Sequence, residues 1–544
     1  MGLPEEAKVW TREQVAARVL AGDNLFILNG SLIRVPASWL TAHPGGRLSI
    51  LHYTGRDATD EVEAFHSDES LKKMRGFSIG RVELGEQGWL PLVPPIANGW
   101  VRRVGKDGRA EWYNEATPVQ PLKGANAAEI LLVSKDKGVS AHTGPTLADL
   151  EPSPNHLSLK NEKMNQDVYK EMHKRVIDAG LYNTPYFTGY GPEFVRYTLL
   201  AAISAFSYSK GWFMSSALFL GLFWQQLTFF AHDLGHVGVT HDWLMDRLIS
   251  IFIADLVGGL SIGWWVHNHN VHHLVTNHPS HDPDIQHLPF LAISPKFLNS
   301  LWSSYHKREM TLDGPGKFFV SVQHKLFYVV LGLARFNLYA NSYVYLAKTA
   351  FEPRRYRGGR WWWWAEVVCL GLFFTWFAAL LRGCGTWPRA LAFLLVSHVA
   401  AAPVHVQIVL SHFSRSTDDL GPVESFFARQ LRTTVDVICS PLIEFIHGGL
   451  HLQVTHHLFP RLPRHNLRAA SLIVKEYAKE RGLEYAEFGF VEGNGEVRGV
   501  LKQVADQIKI IGMVADSEVE WMCIELASPA SYNRMPRPYL RNTK

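Results

Sequence analysis

Cysteine is scarce in this chain. Only Cys369, Cys384, Cys439 and Cys523 occur among 544 residues, none in a C-x-x-C pair, which excludes a disulfide framework and suits a reducing compartment. An excess of one charge is lacking too: a formal net charge of +4 at this length gives no basis for nucleic-acid binding, and no nucleic-acid partner is expected. The opening residues, MGLPEEAKVW, carry acidic side chains and no apolar core. A secretory signal is therefore not expected, and any membrane insertion has to use internal spans. There is no solenoid-type repeat. Mean hydropathy is near neutral although 47% of residues are hydrophobic. That pattern excludes a wholly embedded chain and favours polar units flanking apolar spans.

What the sequence has in abundance is histidine, 26 in all, and these are unevenly spread. Residues 1–85 read as a small α+β unit, with β-type runs at 25–28 and 31–35 and a Gly-Gly turn. Residues 86–190 are polar and rich in Pro, Gly and Asn, and read as a linker with surface helices, the best of them over 161–179. A bilayer core of ~30 Å needs about 20 apolar residues per helix. Stretches 195–211, 212–231, 361–382 and 388–410 meet that need and predict two helical hairpins. The run 247–265 is apolar but holds Asp255 and several glycines, so it is expected to be interfacial or re-entrant. Lys348, Arg354, Arg355, Arg357 and Arg360 precede Trp361–Trp364, as a cytosolic flank followed by an aromatic belt would. The expected units are 1–85, 86–190, 191–480 for the membrane unit, and a cytosolic C-terminal region, 481–544.

Two histidine patterns carry chemistry. In the first unit His43 opens a His-Pro-Gly-Gly turn, and His66 follows after an acidic helical stretch. Two neutral imidazoles from opposite faces are what a haem iron devoted to electron transfer requires, and a Gly-Gly turn lets the backbone approach closely without Cβ clashes. In the membrane unit three clusters follow the apolar segments. They are His232 and His236 in HDLGH, His269, His272 and His273 in HNVHH, and His456 and His457 in QVTHH. Spacings of three and four residues put imidazoles on one helix face. Histidine without cysteine suits iron, copper, nickel or zinc rather than magnesium or calcium. Asp233, Asp282 and Asp284 are candidates to orient those imidazoles, although caps and turns explain the last two equally well.

The stretch WLTAHPGGRLSILHYTGRDATDEVEAFHS resembles the cytochrome b5 family. The resemblance implies a six-coordinate, low-spin b-type haem held by His43 and His66. The boxes HDLGH, HNVHH and QVTHH resemble those of membrane fatty-acyl and sphingolipid desaturases, and Gln453 in the third resembles the front-end subset that carries a fused cytochrome b5 domain. The fold implied is multi-domain: a small α+β haem domain, then an all-α membrane desaturase domain with a histidine-rich cytosolic cap. The ligands implied for a pair of non-haem iron ions, with O₂ as co-substrate, are His232, His236, His269, His272, His273, His456 and His457. His412 is a further ligand by its place in the pattern, Gln453 stands where other desaturases have histidine, and His267 is not required. WQQLTFFAHDLGH, HNVHHLVTNHPSHDPDIQHLPF, VQHKLFYVVLGLARFNLYANSY and HGGLHLQVTHHLFPRLPRHNL resemble fungal Δ8 sphingolipid desaturases. This implies a ceramide substrate, a trans double bond in its long-chain base, electrons from NADH-cytochrome b5 reductase, and a multi-pass endoplasmic reticulum location with both termini and the boxes cytosolic. Polar partners for the ceramide are expected within 277–287 and at Gln323, Asn337 and Asn341. A front-end Δ5/Δ6 fatty-acyl desaturase would carry the same ligands, and so would a lipid hydroxylase. Intact boxes argue against a non-catalytic haem-bearing membrane protein.

Overall fold

The computed structural model describes residues 8–104, 110–116, 144–352 and 359–527, apart from the side chains of 512 and 515–527. Arg354, Arg355 and Arg357 of the expected basic flank lie outside the described residues, as does the Cys523 side chain.

The N-terminal unit is built on a four-stranded sheet. Its hairpin, Asn24–Leu28 and Ser31–Val35, turns at Asn29-Gly30, both at positive φ (50° and 72°). That is the turn which matches strand twist and which Asn-Gly favours. Alternation along the strands splits the unit into two cores. Leu25, Ile27 and Leu32 pack with Val15, Ala16 and Val19 of helix Arg12–Leu20. Phe26, Ile33 and Val35 face the other way, towards Tyr53 and Ala58. The short helices Leu48–Leu51, Thr59–Phe65 and Asp68–Arg75 lie on that second side.

In the following stretch, helix Leu159–Asp178 buries Tyr169, Met172 and Val176 against Leu458, Phe459 and Val474. The Tyr169 hydroxyl donates to the Leu458 carbonyl at 2.8 Å. The helix thereby braces the segment that carries the third histidine box.

Phe213–Gly235, Trp361–Gly383 and Trp387–Leu410 are long and apolar enough to cross a membrane, and the bent pair Trp243–Val257 and Ile262–Leu274 raises the number to four if it counts as one span. The expected span at 195–211 falls in helix Gly191–Ser209, which is not one of these. Glu193 and Arg196 near its start and its several Ser and Tyr residues lower its hydropathy. It still packs along Phe213–Gly235 and turns an apolar stripe outward: Phe194, Val195, Leu199 and Phe206 are all exposed. Similar stripes, Trp364, Val368 and Leu372 on one helix and Trp387, Leu391 and Val399 on another, leave an exposed band that suits lipid rather than water. Trp361 and Trp364 are exposed at the band's edge while Trp362 is buried.

Between the hairpins the chain bends by 111° at Gly258-Gly259, inside the run expected to be re-entrant. Gly259 has φ +73°, and a Cβ there would meet the Phe373 ring at 2.4 Å. Helices Gly314–Gly332 and Ala334–Thr349 follow. Val497, Leu501 and Val504 of the last helix, Phe490–Ala527, pack with Phe327 and Val409, so this part of the C-terminal region belongs to the same core as the membrane unit.

Candidate metal centre and haem site

His43 sits in the turn after helix Ala37–Leu40, and His66 caps the C-terminus of Thr59–Phe65. Their rings face each other with centroids 6.0 Å apart. They share a cavity of about 740 Å³ whose walls include Phe26, Ile33, Val35, Ile50 and Val62. Each Nδ1 is engaged by a carbonyl, Gly46 O at 3.1 Å from His43 and Val62 O at 2.9 Å from His66. That engagement fixes the tautomer and leaves Nε2 as the free lone pair. Burial lowers the pKa of both rings, His66 to about 4. Two neutral imidazoles across an apolar slot fit a flat iron macrocycle. The Gly-Gly turn has a second use, which the sequence did not disclose. A Cβ at Gly46 (φ +85°) would lie 2.1 Å from His267 Nδ1, and one at Gly45 would lie 2.9 Å from Asn270 Nδ2. The glycines let the turn press against the helix that carries the second box.

That helix, Ile262–Leu274, presents His269, His272 and His273. His232 and His236 end Phe213–Gly235, His456 and His457 lie on Gln453–Leu458, and His412 follows the last apolar helix. Folding sorts them into two sets. Ligand atoms of His232, His236, His269 and His456 lie within 4.8 Å of one another, and so do those of His272, His412 and His457. His273 joins the first set, its Nε2 being 3.1 Å from that of His269 and 3.2 Å from that of His456. Gln453 Nε2 is 3.4 Å from His412 Nε2. His267 belongs to neither set; its ring lies between Tyr305 and Tyr345. His447 is taken up by Gln407. Cys439, Glu444 and His451 also converge, but Glu444 is already paired with Arg468.

The test of metal fit lies in the orphaned nitrogens. His232 Nε2, His236 Nε2 and His457 Nε2 are buried without a hydrogen-bond partner. Each such atom costs about 1–3 kcal/mol unless something replaces water. Orphans that point into two all-nitrogen sets fit two transition-metal ions. Burial and neighbouring imidazoles hold His456 and His457 well below the usual histidine range, as neutral ligands require.

Several of the other ring nitrogens are held from behind, although His273 Nδ1 has no partner. His272 Nδ1 donates to Asp282 at 2.9 Å, His457 Nδ1 to Gln430 Oε1 at 3.0 Å, and His269 Nδ1 lies 3.4 Å from Asp284. Asp282 also accepts from Asp284 N at 2.8 Å, so the capping and orienting readings of this residue both hold. Asp233 lies 3.4 Å from His232 Nδ1, accepts from the Tyr190 hydroxyl at 2.7 Å and from Arg464 at 3.0 Å, and Arg464 also pairs with Glu193. Gln430, Arg464, Tyr190 and Glu193 were not evident from the sequence, since none lies within a box and only long-range packing brings them in.

Two family models match the chain. The fatty acid desaturase model covers residues 210–489 and the cytochrome b5-like heme/steroid binding domain model covers residues 11–83. A Delta 8-(E)-sphingolipid desaturase of Emericella nidulans is 42% identical, the match covering 92% of this chain and 95% of that protein. One of Komagataella phaffii is 39% identical over 92% and 94% of the two chains. A Delta(8)-fatty-acid desaturase of Helianthus annuus is 32% identical over 78% and 91%.

Proposed function

Since the chain belongs to the fatty acid desaturase family, with a cytochrome b5-like domain fused ahead of it, and is an oxidoreductase of that class, we propose that it is a Δ8 sphingolipid desaturase that places a trans double bond in the long-chain base of ceramide. The observation that carries this is the extent of the likeness: it spans haem unit and membrane unit together, at 42% identity, against 32% for the plant protein named for a fatty acid. The alternative is a front-end fatty-acyl desaturase, which the same ligands would serve.

Within this reading His43 and His66 hold a b-type haem, in a unit spanning 1–85. His232, His236, His269, His273 and His456 hold one iron, and His272, His412 and His457, with Gln453 beside them, hold the other, in a membrane unit spanning 191–480. The irons supply O₂ activation and the haem supplies electrons. The balance is one methylene pair, one O₂, two electrons and two protons giving one alkene and two waters, with NADH-cytochrome b5 reductase as the source of electrons. The chain's own contribution is positional. Asp282, Gln430 and Asp233 fix imidazole tautomers, and the apolar helices supply a dry path for the lipid chain.

The headgroup candidates narrow. Asn277 is buried and its amide donates to the His412 carbonyl at 2.9 Å, while Gln323 is bonded to Ala292 and Leu501. Both are engaged by backbone groups of the fold. The other polar residues of 277–287, with Asn337, exposed, and Asn341, half-buried, on Ala334–Thr349, remain to receive the amide and hydroxyls of ceramide. Two hairpins and a re-entrant segment return the chain each time to the side of the boxes, in keeping with cytosolic termini and an endoplasmic reticulum membrane. Expression in a yeast that lacks this activity, with mass spectrometry of long-chain bases and fatty acids, should show a new trans 8,9 double bond in the sphingoid base. New polyunsaturated fatty acids beside unchanged sphingoid bases would overturn the proposal in favour of the fatty-acyl reading.

A further inference from the structure

The haem cavity and the metal centre share a wall. Phe65, the neighbour of His66, lines the cavity on one side. On the other its ring meets His273 edge-on at 5.7 Å and His236 at 6.5 Å. His236 itself borders the cavity, so at this point the partition is a single side chain thick.

The wall is held by a built interface. The Tyr53 hydroxyl of the haem unit and Arg429 of the membrane unit both donate to the Leu274 carbonyl, each at 3.0 Å, directly after His273. Tyr53 and Arg429 are 3% and 7% exposed. Ala64 is buried in the same core as Leu458 and Phe459, with Phe65 packed against it, and the Gly45-Gly46 turn rests on His267 and Asn270. A domain that docked only in passing would not bury a charged guanidinium in its contact. The cavity meanwhile reaches the surface beside Trp39 and Phe77, which are 43% and 40% exposed.

We infer that the haem domain works from this docked position, receiving electrons at the Trp39–Phe77 rim and delivering them through Phe65, which acts as a positioning residue that fills the gap between His66 and the His236–His273 pair. The inference rests on the proposed ligand roles of these histidines. In each delivery one ferrous haem becomes ferric and one ferric non-haem iron becomes ferrous; no bond or proton moves, and two deliveries supply the two electrons that O₂ needs beyond the C–H pair. Electron tunnelling falls steeply with an unfilled gap, so shortening Phe65 slows this step and leaves reduction at the rim untouched.

The test uses the full chain loaded with haem and iron. Under anaerobic conditions, with no lipid, sub-stoichiometric dithionite reduces the haem and its absorbance reports transfer to ferric iron. With F65A and with R429Q, the low-spin spectrum, iron content and rate of reduction by the reductase should stay as in the parent, while the internal transfer slows severalfold; F65Y should restore it. If F65A loses haem or iron, F65L and R429Q give the same readout. Transfer at the parental rate in R429Q and in the Phe65 variant that keeps its cofactors overturns the inference. Because no lipid is present, that failure is separate from a wrong substrate assignment.

Discussion

Asp282 accepts from three donors at once, His272 Nδ1 at 2.9 Å and the backbone N–H groups of Asn277 at 2.7 Å and Asp284 at 2.8 Å, with no exposed surface. Removing its carboxylate leaves an imidazole free to turn. Asp282→Ala is expected to lower metal affinity about 10–100-fold, the usual consequence of losing a partner behind a ligand; iron per chain after equilibration with a chelator measures it. The histidines themselves should behave as a unit. Ala at His232, His272 or His457 should each abolish desaturation, and combining them should cost little more, because a shared centre can be lost only once. Product analysis of single and multiple variants checks this, and activity retained in His457→Ala contradicts a shared site.

At the scale of elements, the 111° bend between Trp243–Val257 and Ile262–Leu274 is held by an ion pair inside the apolar region. Arg247 donates to Glu366 of Trp361–Gly383 at 2.6 Å, and Gly263 N donates to the same carboxylate at 3.1 Å. Truncating one partner of a buried pair strands the other. Glu366→Ala should therefore cost about 3–5 kcal/mol, seen as an earlier unfolding transition and as loss of iron, since Ile262–Leu274 carries the second box. The proposed topology turns on the same bend. Asn277 is buried, so a glycosylation tag is better placed at Lys307, the exposed end of the turn between strands Leu301–Ser303 and Arg308–Met310. The tag should stay unmodified, and efficient modification would mean that 247–265 crosses the membrane.

For the whole molecule, each unit keeps a core of its own, around Leu25 and Val15 in one and Trp224 and Phe373 in the other, and they share packing where Ala64 meets Leu458 and Phe459 and where Leu274 meets Phe26 and Ile33. Because the membrane unit has a core in which the haem unit takes no part, around Trp224, Phe373 and Phe393, the haem can be lost without the rest. His43→Ala or His66→Ala should remove the low-spin absorption spectrum while the membrane unit keeps its thermal transition and iron. A full low-spin spectrum in either variant would show that the axial ligand lies elsewhere. The docking also bears on the proposed transfer: the cavity shared by His43 and His66 is bordered by His236 itself, so no swing on a flexible link is needed to bring the two sites together.

The sequence by itself determined what repeats at short range. The β-type runs at 25–28 and 31–35 and the i, i+3 and i, i+4 histidines are legible because a strand has period two and a helix 3.6, so a few adjacent letters suffice to set a shared face, while the His43–His66 pair was legible only through the motif that resembles the cytochrome b5 family. The apolar runs were legible because a bilayer demands length and composition, with the marginal case at 191–209 showing where composition alone stops deciding. Only the tertiary structure divided the histidines into two sets, placed His412 and Gln453 beside the second, and brought Gln430, Arg464 and Tyr190 behind the ligands. It alone showed that the Asn277 and Gln323 side chains bond to backbone carbonyls far along the chain and that the glycines after His43 are pressed against the second box. The reason is distance along the chain. Gln430 and His273 are 157 residues apart and Arg464 and Asp233 are 231 apart, so no local period links them, and they meet only because helices packed from both ends of the sequence bury one common centre.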